Sequence, residues 1–445
     1  MNDANARATR AAYSLLWWLA LPFVPLRLWW RGRREPLYRA HVGERFGRYR
    51  RGAFAIGNDL VWIHAVSVGE TRAVAPLVER LLAADAQRTI LLTHMTATGR
   101  DTGRALFGER VLQAWLPYDV PFAVDRFLAH FHPRAGLLVE TELWPNLAAA
   151  ASKRHIPLYL VNARLSQRSA RGYARIASLA RPLLASLAGV AAQSEEDAQR
   201  LRALGANDVV ITGNLKFDID VPSAMKKRAR VLRERFGSSR PVVMLASTRD
   251  GEEALLLDAF ARATLPSEML VVIVPRHPQR FGEVAAMLTA RGLQFVRRSD
   301  ERHVPIDVSF VLGDSMGEMH AYYGACDVAF VGGSLLPLGG QNLIEPIAAG
   351  VPTLVGPHTF NFAAAADAAI AAGAALRVKD ADDVFDNASR LLEDATLRAR
   401  MRESGEAFLA AHRGSLERLY AWLQARIGDS GLRPPPAPDS RPCGP

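Results

Sequence analysis

Cysteine is nearly absent. The 445 residues hold two, Cys326 and Cys443, far apart in the chain. They offer neither a disulfide framework nor zinc-ligand spacing, which points to a reducing compartment. No HxxxH pattern suggests a metal elsewhere. No G-x-G-x-x-G follows the first strand-like run and no Walker A sequence occurs, so dinucleotide and P-loop readings lack their signatures. Nothing repeats at solenoid periods. Acidic residues are outnumbered, Asp+Glu 45 against Lys+Arg 55, for a net charge of +10. Such an excess suggests an anionic partner: nucleic acid, a phospholipid surface or a phosphorylated substrate. Groove-reading motifs are missing, which sets nucleic acid aside.

The most hydrophobic stretch is also short. Residues 11–26, AAYSLLWWLALPFVPL, carry no charge but fall below the roughly 20 apolar residues of a spanning helix. Pro22 and Pro25 interrupt it. Trp29 and Trp30, residues favoured at membrane interfaces, follow. Arg7 and Arg10 precede it as in a secretory leader, yet no small-x-small cleavage site comes after it. An N-terminal anchor or interfacial helix is therefore expected. Next comes a block of arginines at 27, 31, 33, 34, 39, 45, 48, 50 and 51, opposed only by Glu35 and Glu44. These favour a cytoplasmic location for the remaining chain and attract anionic headgroups.

Hydrophobic residues make up 49% of the chain and charged residues 22%, so a sizeable core is expected. From residue 60, short apolar runs alternate with helical periodicity. Strands are expected at 60–66, 89–93, 136–140, 158–162 and 189–193, with helices at 71–84, 99–107 and 143–155. The pattern fades at 216–223 and resumes with strands at 242–246, 270–274, 308–312, 328–331 and 353–355. Helices are expected at 252–263, 280–291, 381–392 and 395–426. Alternation of this kind predicts two doubly wound parallel sheets with a ligand cleft between the domains and ligands at the carboxyl ends of the strands. The predicted layout is an anchor and basic segment over 1–50, one domain over 51–220, a second over 225–426, and a Pro-rich disordered tail over 433–445.

Residues 327–357, DVAFVGGSLLPLGGQNLIEPIAAGVPTLVGP, read as strand, Gly-rich loop, helix over 342–349, and strand. Glycines let a ligand approach the main chain, and a helix start suits phosphate. Glu345 is placed to accept bonds from two sugar hydroxyls. The bland alternative is a βα turn whose glycines serve packing. Other strand ends also carry polar groups: Ser247-Thr248-Arg249, Pro275-Arg276-His277, and Gly313 to Met319. Arg276 suits a phosphate, and the segment around Met316 and Gly317 suits a flat base. In the first domain, Glu70 follows Ser67 and Gly69 at a helix start, as a general base or simply a dipole partner. Glu140 and Glu142 share one strand-to-helix turn, where like charges favour raised pKa values or need a cation such as Lys216. Asp218-Ile219-Asp220 reads as linker polarity. Gly313 to Gly317 matches a hydrolase elbow, whose triad would need Glu345 and His358. That reading leaves the first domain and Arg276 without a role.

Ten segments taken in order carry a resemblance: WIHAVSVGE, LTHMTATGR, ETELWPN, NARLSQRSARGY, AAQSEEDAQRLRALGA, GNLKFD, VPRHPQRF, LGDSMGEM, FVGGSLLPLGGQNLIEP and GPHTFNF. Together they resemble the 3-deoxy-D-manno-octulosonic acid (Kdo) transferases of lipopolysaccharide synthesis, from about residue 26 to 423. The resemblance implies an α/β GT-B glycosyltransferase fold, an anchor in the cell inner membrane, a cytoplasmic active site and no cofactor. It implies inverting transfer of Kdo from CMP-Kdo to lipid IV(A), the tetraacyl disaccharide bisphosphate. By motif, Glu70 takes the proton-acceptor position, and Glu140 and Lys216 positions of transition-state stabilisation. Pro275, Arg276, Met316, Gly317, Glu318, Asn342, Leu343, Ile344 and Glu345 take the CMP site. The competing readings are a UDP-sugar enzyme of the same fold and a noncatalytic membrane adaptor.

Overall fold

A computed structural model describes residues 3–33, 35–50, 59–85, 87–218, 221–266 and 268–427. Asp220, Cys443 and the predicted disordered tail lie outside these residues. Among the described residues, fourteen strands form two sheets of seven, and every strand pairing is parallel. The first holds β1 (Leu60–His64), β2 (Thr89–His94), β3 (Leu112–Trp115), β4 (Ala135–Val139), β5 (Leu158–Ala163), β6 (Gly189–Ala192) and β7 (Val209–Ile211). The second holds β8 (Val242–Thr248), β9 (Leu270–Pro275), β10 (Phe295–Arg297), β11 (Phe310–Leu312), β12 (Val328–Val331), β13 (Thr353–Val355) and β14 (Ala375–Arg377). Their orders are β3-β2-β1-β4-β5-β6-β7 and β10-β11-β9-β8-β12-β13-β14. The order reverses between β1 and β4 in one sheet and between β8 and β12 in the other. In doubly wound sheets ligands collect at such reversals, outside the strands' carboxyl ends.

Helices cover both faces of each sheet, which is why central strands such as LVWIH and LVVIVP are buried at every position. Trp62 packs on one face of the first sheet with Phe127, Phe131 and Leu160. Val61 and Ile63 face the other way, against Val74, Leu77 and the last helix, Ser415–Ile427. That last helix revises the expected layout. Among the described residues, one compact unit holds those up to 215 together with those from 414 to 427, and the other holds those within 216–413. The continuous helix expected over 395–426 breaks at Gly414, whose φ of 83° is left-handed. Leu419, Tyr420 and Leu423 then bury their side chains in the first unit's core. Gly213 is needed beside them, because a Cβ there would lie 2.3 Å from Ser415 Oγ. Arg418 Nε–H completes the junction by donating to the Thr212 carbonyl at 3.0 Å.

The prolines interrupt the N-terminal α-helix with one 3-10 turn, without ending the helical run. Helix Asp3–Ala20 runs through a 3-10 turn, Leu21–Phe23, into helix Val24–Arg31, and each proline sits in the first turn of the next segment. Proline is tolerated there because its missing N–H has no intrahelical partner to lose. Residues 5–31 are thus long and apolar enough to cross a membrane. Val24 and Leu28 pack inward with Trp115, Tyr118 and Val120. Leu15, Leu16, Trp18, Leu19, Phe23, Leu26, Trp29 and Trp30 point outward and are exposed. Part of the arginine block is structural. Arg45 is buried over the Trp115 ring at 4.0 Å and donates to the Met95 carbonyl. Arg27, Arg33, Arg39, Arg48 and Arg50 remain exposed.

Candidate active site

At the first sheet's reversal point, β1 and β4 end side by side. Ser67 caps the helix Val68–Ala84, and its hydroxyl donates to Glu70 Oε1 at 2.9 Å. The Val66 N–H donates to Glu70 Oε2 at 2.7 Å. Both carboxylate oxygens are thus held by the turn, which fixes the orientation of Glu70. Glu140 follows β4 in left-handed backbone, φ 62°, and its N–H reaches the Val161 carbonyl at 3.0 Å. A side-chain-bearing residue in that region costs on the order of 1 kcal/mol and persists only where its surroundings impose it. Glu142 completes the group. Its carboxyl is pushed up to about 8, by burial first and by the Glu70 charge next, with Glu140 adding to both. At neutral pH Glu142 therefore carries a proton. His64 and His94 lie beneath as buried, neutral rings: burial pushes them down to about 3 and about 4.

Strand β5 ends on a bulge at Asn162, φ 50°, whose Oδ1 accepts the Leu215 N–H at 3.0 Å. This buried amide fixes the backbone immediately before Lys216. The Lys216 ammonium itself lies 5.3 Å from the centre of the Phe362 ring, in the second unit.

The second unit repeats the theme at its own reversal. Ser247 has φ 54° at a bulge in β8. Gly332, ending β12, packs on that bulge: a Cβ there would lie 2.7 Å from Thr248 Cα and 2.8 Å from the Ser247 carbonyl. Arg276 follows Pro275 at the end of β9. Its N–H donates to the Thr248 carbonyl at 2.9 Å and its Nε–H to Gln341 Oε1 at 3.2 Å. Neighbouring His277 is pushed down by burial and then by Arg249, Arg276 and Arg280, which marks the spot as electropositive. Asn342 donates to Glu345 Oε1 at 3.1 Å. Burial, and then the Glu345 charge, push the Tyr323 hydroxyl well up.

Two expectations change here. The helix expected over 342–349 is Ile344–Ala348, five residues, too short for a strong dipole. The Gly-rich loop is also not an open amide cradle. Gly333 and Leu335 N–H groups donate to buried Glu252, and those of Gly340 and Gln341 to the carbonyls of Gly333 and Gly332. Its glycines serve packing and turn geometry. Leu343 and Ile344 bury their side chains in the core. Glu318 is buried as well, accepting from Ser315, Arg298 at 3.1 Å and Arg228 at 2.9 Å, while Met316 is exposed and Gly317 has open space at its Cβ position. Ser315 bonds to Glu318 and Tyr322 rather than to a histidine, so the expected triad of Ser315, Glu345 and His358 is not assembled.

Residues 40–219 match the family model described as "3-Deoxy-D-manno-octulosonic-acid transferase (kdotransferase)", and residues 255–408 match "Glycosyl transferases group 1". The chain is 47% identical over 433 residues to a 3-deoxy-D-manno-octulosonic acid transferase of Bordetella pertussis, covering 94% of this chain and 100% of that one. The chain belongs to the Kdo transferase family. The namesake protein of Haemophilus influenzae is 36% identical over 396 residues, 88% of this chain and 92% of that one. Among solved structures, a glycosyltransferase from Rickettsia africae aligns with TM-score 0.56 at 12% identity, over 85% of this chain and 100% of that one. UDP-GlcNAc 2-epimerase from Neisseria meningitidis aligns with TM-score 0.54 at 14% identity, over 82% of this chain and 100% of that one. At such identities the likeness concerns fold, and the fold of this Kdo transferase family member is GT-B. The chain is a glycosyltransferase enzyme.

Sequence reading missed Asn162 as a support in the first unit, and Gln341 and Glu252 as supports in the second. None of them announces itself by spacing: each acts through a backbone group or side chain distant in sequence. Glu142 was legible as half of a like-charge pair; both acids are half-buried, and that Glu142 is the one pushed up, by burial first and then by Glu70, was not legible.

Proposed function

We propose that the protein is an inverting Kdo transferase that moves Kdo from CMP-Kdo to lipid IV(A) at the cytoplasmic face of the cell inner membrane. The observation that carries the reading is the near end-to-end match to a Kdo transferase at 47% identity. Two features of the site fit it: carboxylates at the first sheet's reversal and cations at the second's. In this scheme Glu70 takes the proton from the acceptor hydroxyl as that oxygen attacks the anomeric carbon of Kdo. The bond from that carbon to the CMP phosphate breaks, and the phosphate leaves with the electron pair. Ser67 and Val66 hold the Glu70 oxygens in place for this step. Arg276 takes the phosphate charge, and Glu345, oriented by Asn342, takes the ribose hydroxyls. Lys216 and Glu140 stabilise the charge that develops between attack and departure.

Membrane seating is the second half of the proposal. The stripe of Val24 and Leu28 is occupied by protein, while eight large apolar side chains on the opposite side are exposed. A helix held this way suits lying in the interface rather than being surrounded by lipid. Exposed Arg27, Arg33 and Arg39 beside it suit anionic headgroups.

The test is a transfer assay with purified protein, lipid IV(A) and CMP-Kdo generated in situ, read by mass spectrometry. A mass gain of one or more Kdo units, lost in Glu70→Ala while CMP still binds, is expected. No gain with CMP still bound would overturn the acceptor assignment.

A further inference from the structure

The helix Asp3–Ala20 is tied to the first unit by polar contacts as well as by packing. The single Ser14 Oγ–H is shared between the Arg10 carbonyl of its own helix at 2.9 Å and Asn146 Oδ1 at 3.0 Å. Asn146 is buried in the first turn of helix Pro145–Lys153, four residues after Glu142. Its side-chain amide donates to the Asp119 carbonyl at 2.7 Å, and its main-chain N–H to Asp119 Oδ2 at 3.0 Å. The Leu147 N–H donates to Asp119 Oδ1 at 2.8 Å. Asp119 thus caps that helix from a distant loop, and the Tyr13 hydroxyl lies against the same carboxylate.

One helix therefore has two contrasting sides. Outward it presents Leu15, Leu16, Trp18 and Leu19, all exposed. Inward it grips the start of the helix that directly follows the Glu140–Glu142 turn. That turn depends on support from outside itself. Glu140 is left-handed, and Trp144, preceding Pro145, is held extended at φ −118° and ψ 96°. On its upstream side the turn is held by the Glu140 N–H on Val161 and by Thr141 on the Arg164 carbonyl. On its downstream side the hold is Asp119 and Asn146, and through them Ser14.

We propose that an anionic bilayer surface activates transfer through this lock: seating the outward stripe of helix Asp3–Ala20 on lipid holds Ser14 on Asn146 and thereby fixes the Glu140–Glu142 turn. The proposal rests on the membrane seating and the reaction proposed above. Asn146 and Asp119 are positioning residues in it, and Ser14 is the link. An anchor without this link would raise the enzyme's local concentration and change KM alone. The link changes kcat.

The experiment uses the full chain, phosphatidylethanolamine–phosphatidylglycerol vesicles, and a deacylated, phosphorylated glucosamine disaccharide as an acceptor that stays in solution. Vesicles are expected to raise kcat on this acceptor about fivefold, the factor carried by one typical intramolecular hydrogen bond. Ser14→Ala is expected to sediment with vesicles as the parent does yet lose that rise, and Ser14→Thr, which keeps the hydroxyl, to regain it. Hydrogen exchange at the Asn146 and Leu147 amides gives a readout independent of the reaction. Vesicles should slow it in the parent and leave it unchanged in Ser14→Ala. A kcat rise of equal size in Ser14→Ala overturns the proposal, as does a parent whose KM alone responds. If no transfer occurs, the reaction assignment fails by itself, and the exchange measurement still decides the coupling: no slowing in the parent sinks it.

Discussion

Replacing Glu142 by Gln removes a carboxyl while keeping its shape, and the outcome is set by which form the fold prefers. The unfolded value is 4.5 and the folded value about 8. Because the folded pKa is raised, the folded state binds the proton more tightly than the unfolded state does. Glu142 thus favours folding most below pH 4.5. That contribution is lost progressively as pH climbs from 4.5 to about 8, and stays lost above it. The interval, at about 1.4 kcal/mol per pH unit, sets an upper bound of about 5 kcal/mol. Partial exposure and the shared charge of Glu70 reduce this to a few kcal/mol. The substituted amide does not titrate, so the variant should escape the penalty. The assay is urea unfolding of parent and Glu142→Gln at pH 6 and pH 9. The parent should lose stability across that interval, and the variant should lose less by about 1–3 kcal/mol. Transfer at pH 7 should persist in the variant, since Glu142 is already neutral there. Parallel losses in the two proteins would refute the claim that this carboxyl is held protonated by the fold.

Three further outcomes are expected. Glu252→Ala strands the N–H groups of Arg249, Gly333 and Leu335, so it should cost about 3–5 kcal/mol in denaturant unfolding and weaken CMP binding; parental stability would count against the loop's dependence on this carboxylate. Gly332→Ala drives a Cβ to within 2.9 Å of Thr248 backbone atoms, so the bulge must shift at a cost of about 1–3 kcal/mol. An unchanged melting temperature with unchanged CMP affinity would show the contact to be slack. Arg276→Ala should weaken CMP binding about tenfold or more in calorimetry and flatten its salt dependence; an unaltered dissociation constant would move the phosphate elsewhere.

The legibility of the fold followed burial. Five strands of each sheet were visible as apolar runs, because a central parallel strand is covered on both faces and tolerates little else. The four that were not visible, β3, β7, β10 and β14, are the four sheet edges. They are three or four residues long; LQAW, FVR and ALR mix polar residues in, and VVI is apolar but only three residues long. The N-terminal prolines were legible as an interruption, but its extent, a single 3-10 turn, was not. A proline's effect depends on whether it falls inside a helix or in its first turn, and the neighbouring turns decide that.

Sequence by itself determined the alternating α/β plan, the two-domain organisation, the apolar amphiphile at the N-terminus and the chemistry available at each strand end. These are local: they follow from hydrophobic period, turn residues and charge within a few positions. Only tertiary structure decided that helix Ser415–Ile427 belongs to the first unit, since its apolar face could have covered either sheet. It alone decided that Arg45 is a buried support rather than a lipid ligand, and that the Gly-rich loop commits the Gly333 and Leu335 amides to Glu252. It also decided that Glu142 is the acid kept protonated. Each of these depends on which distant groups share a desolvated space, and burial is a property of packing that no single segment carries in its own residues.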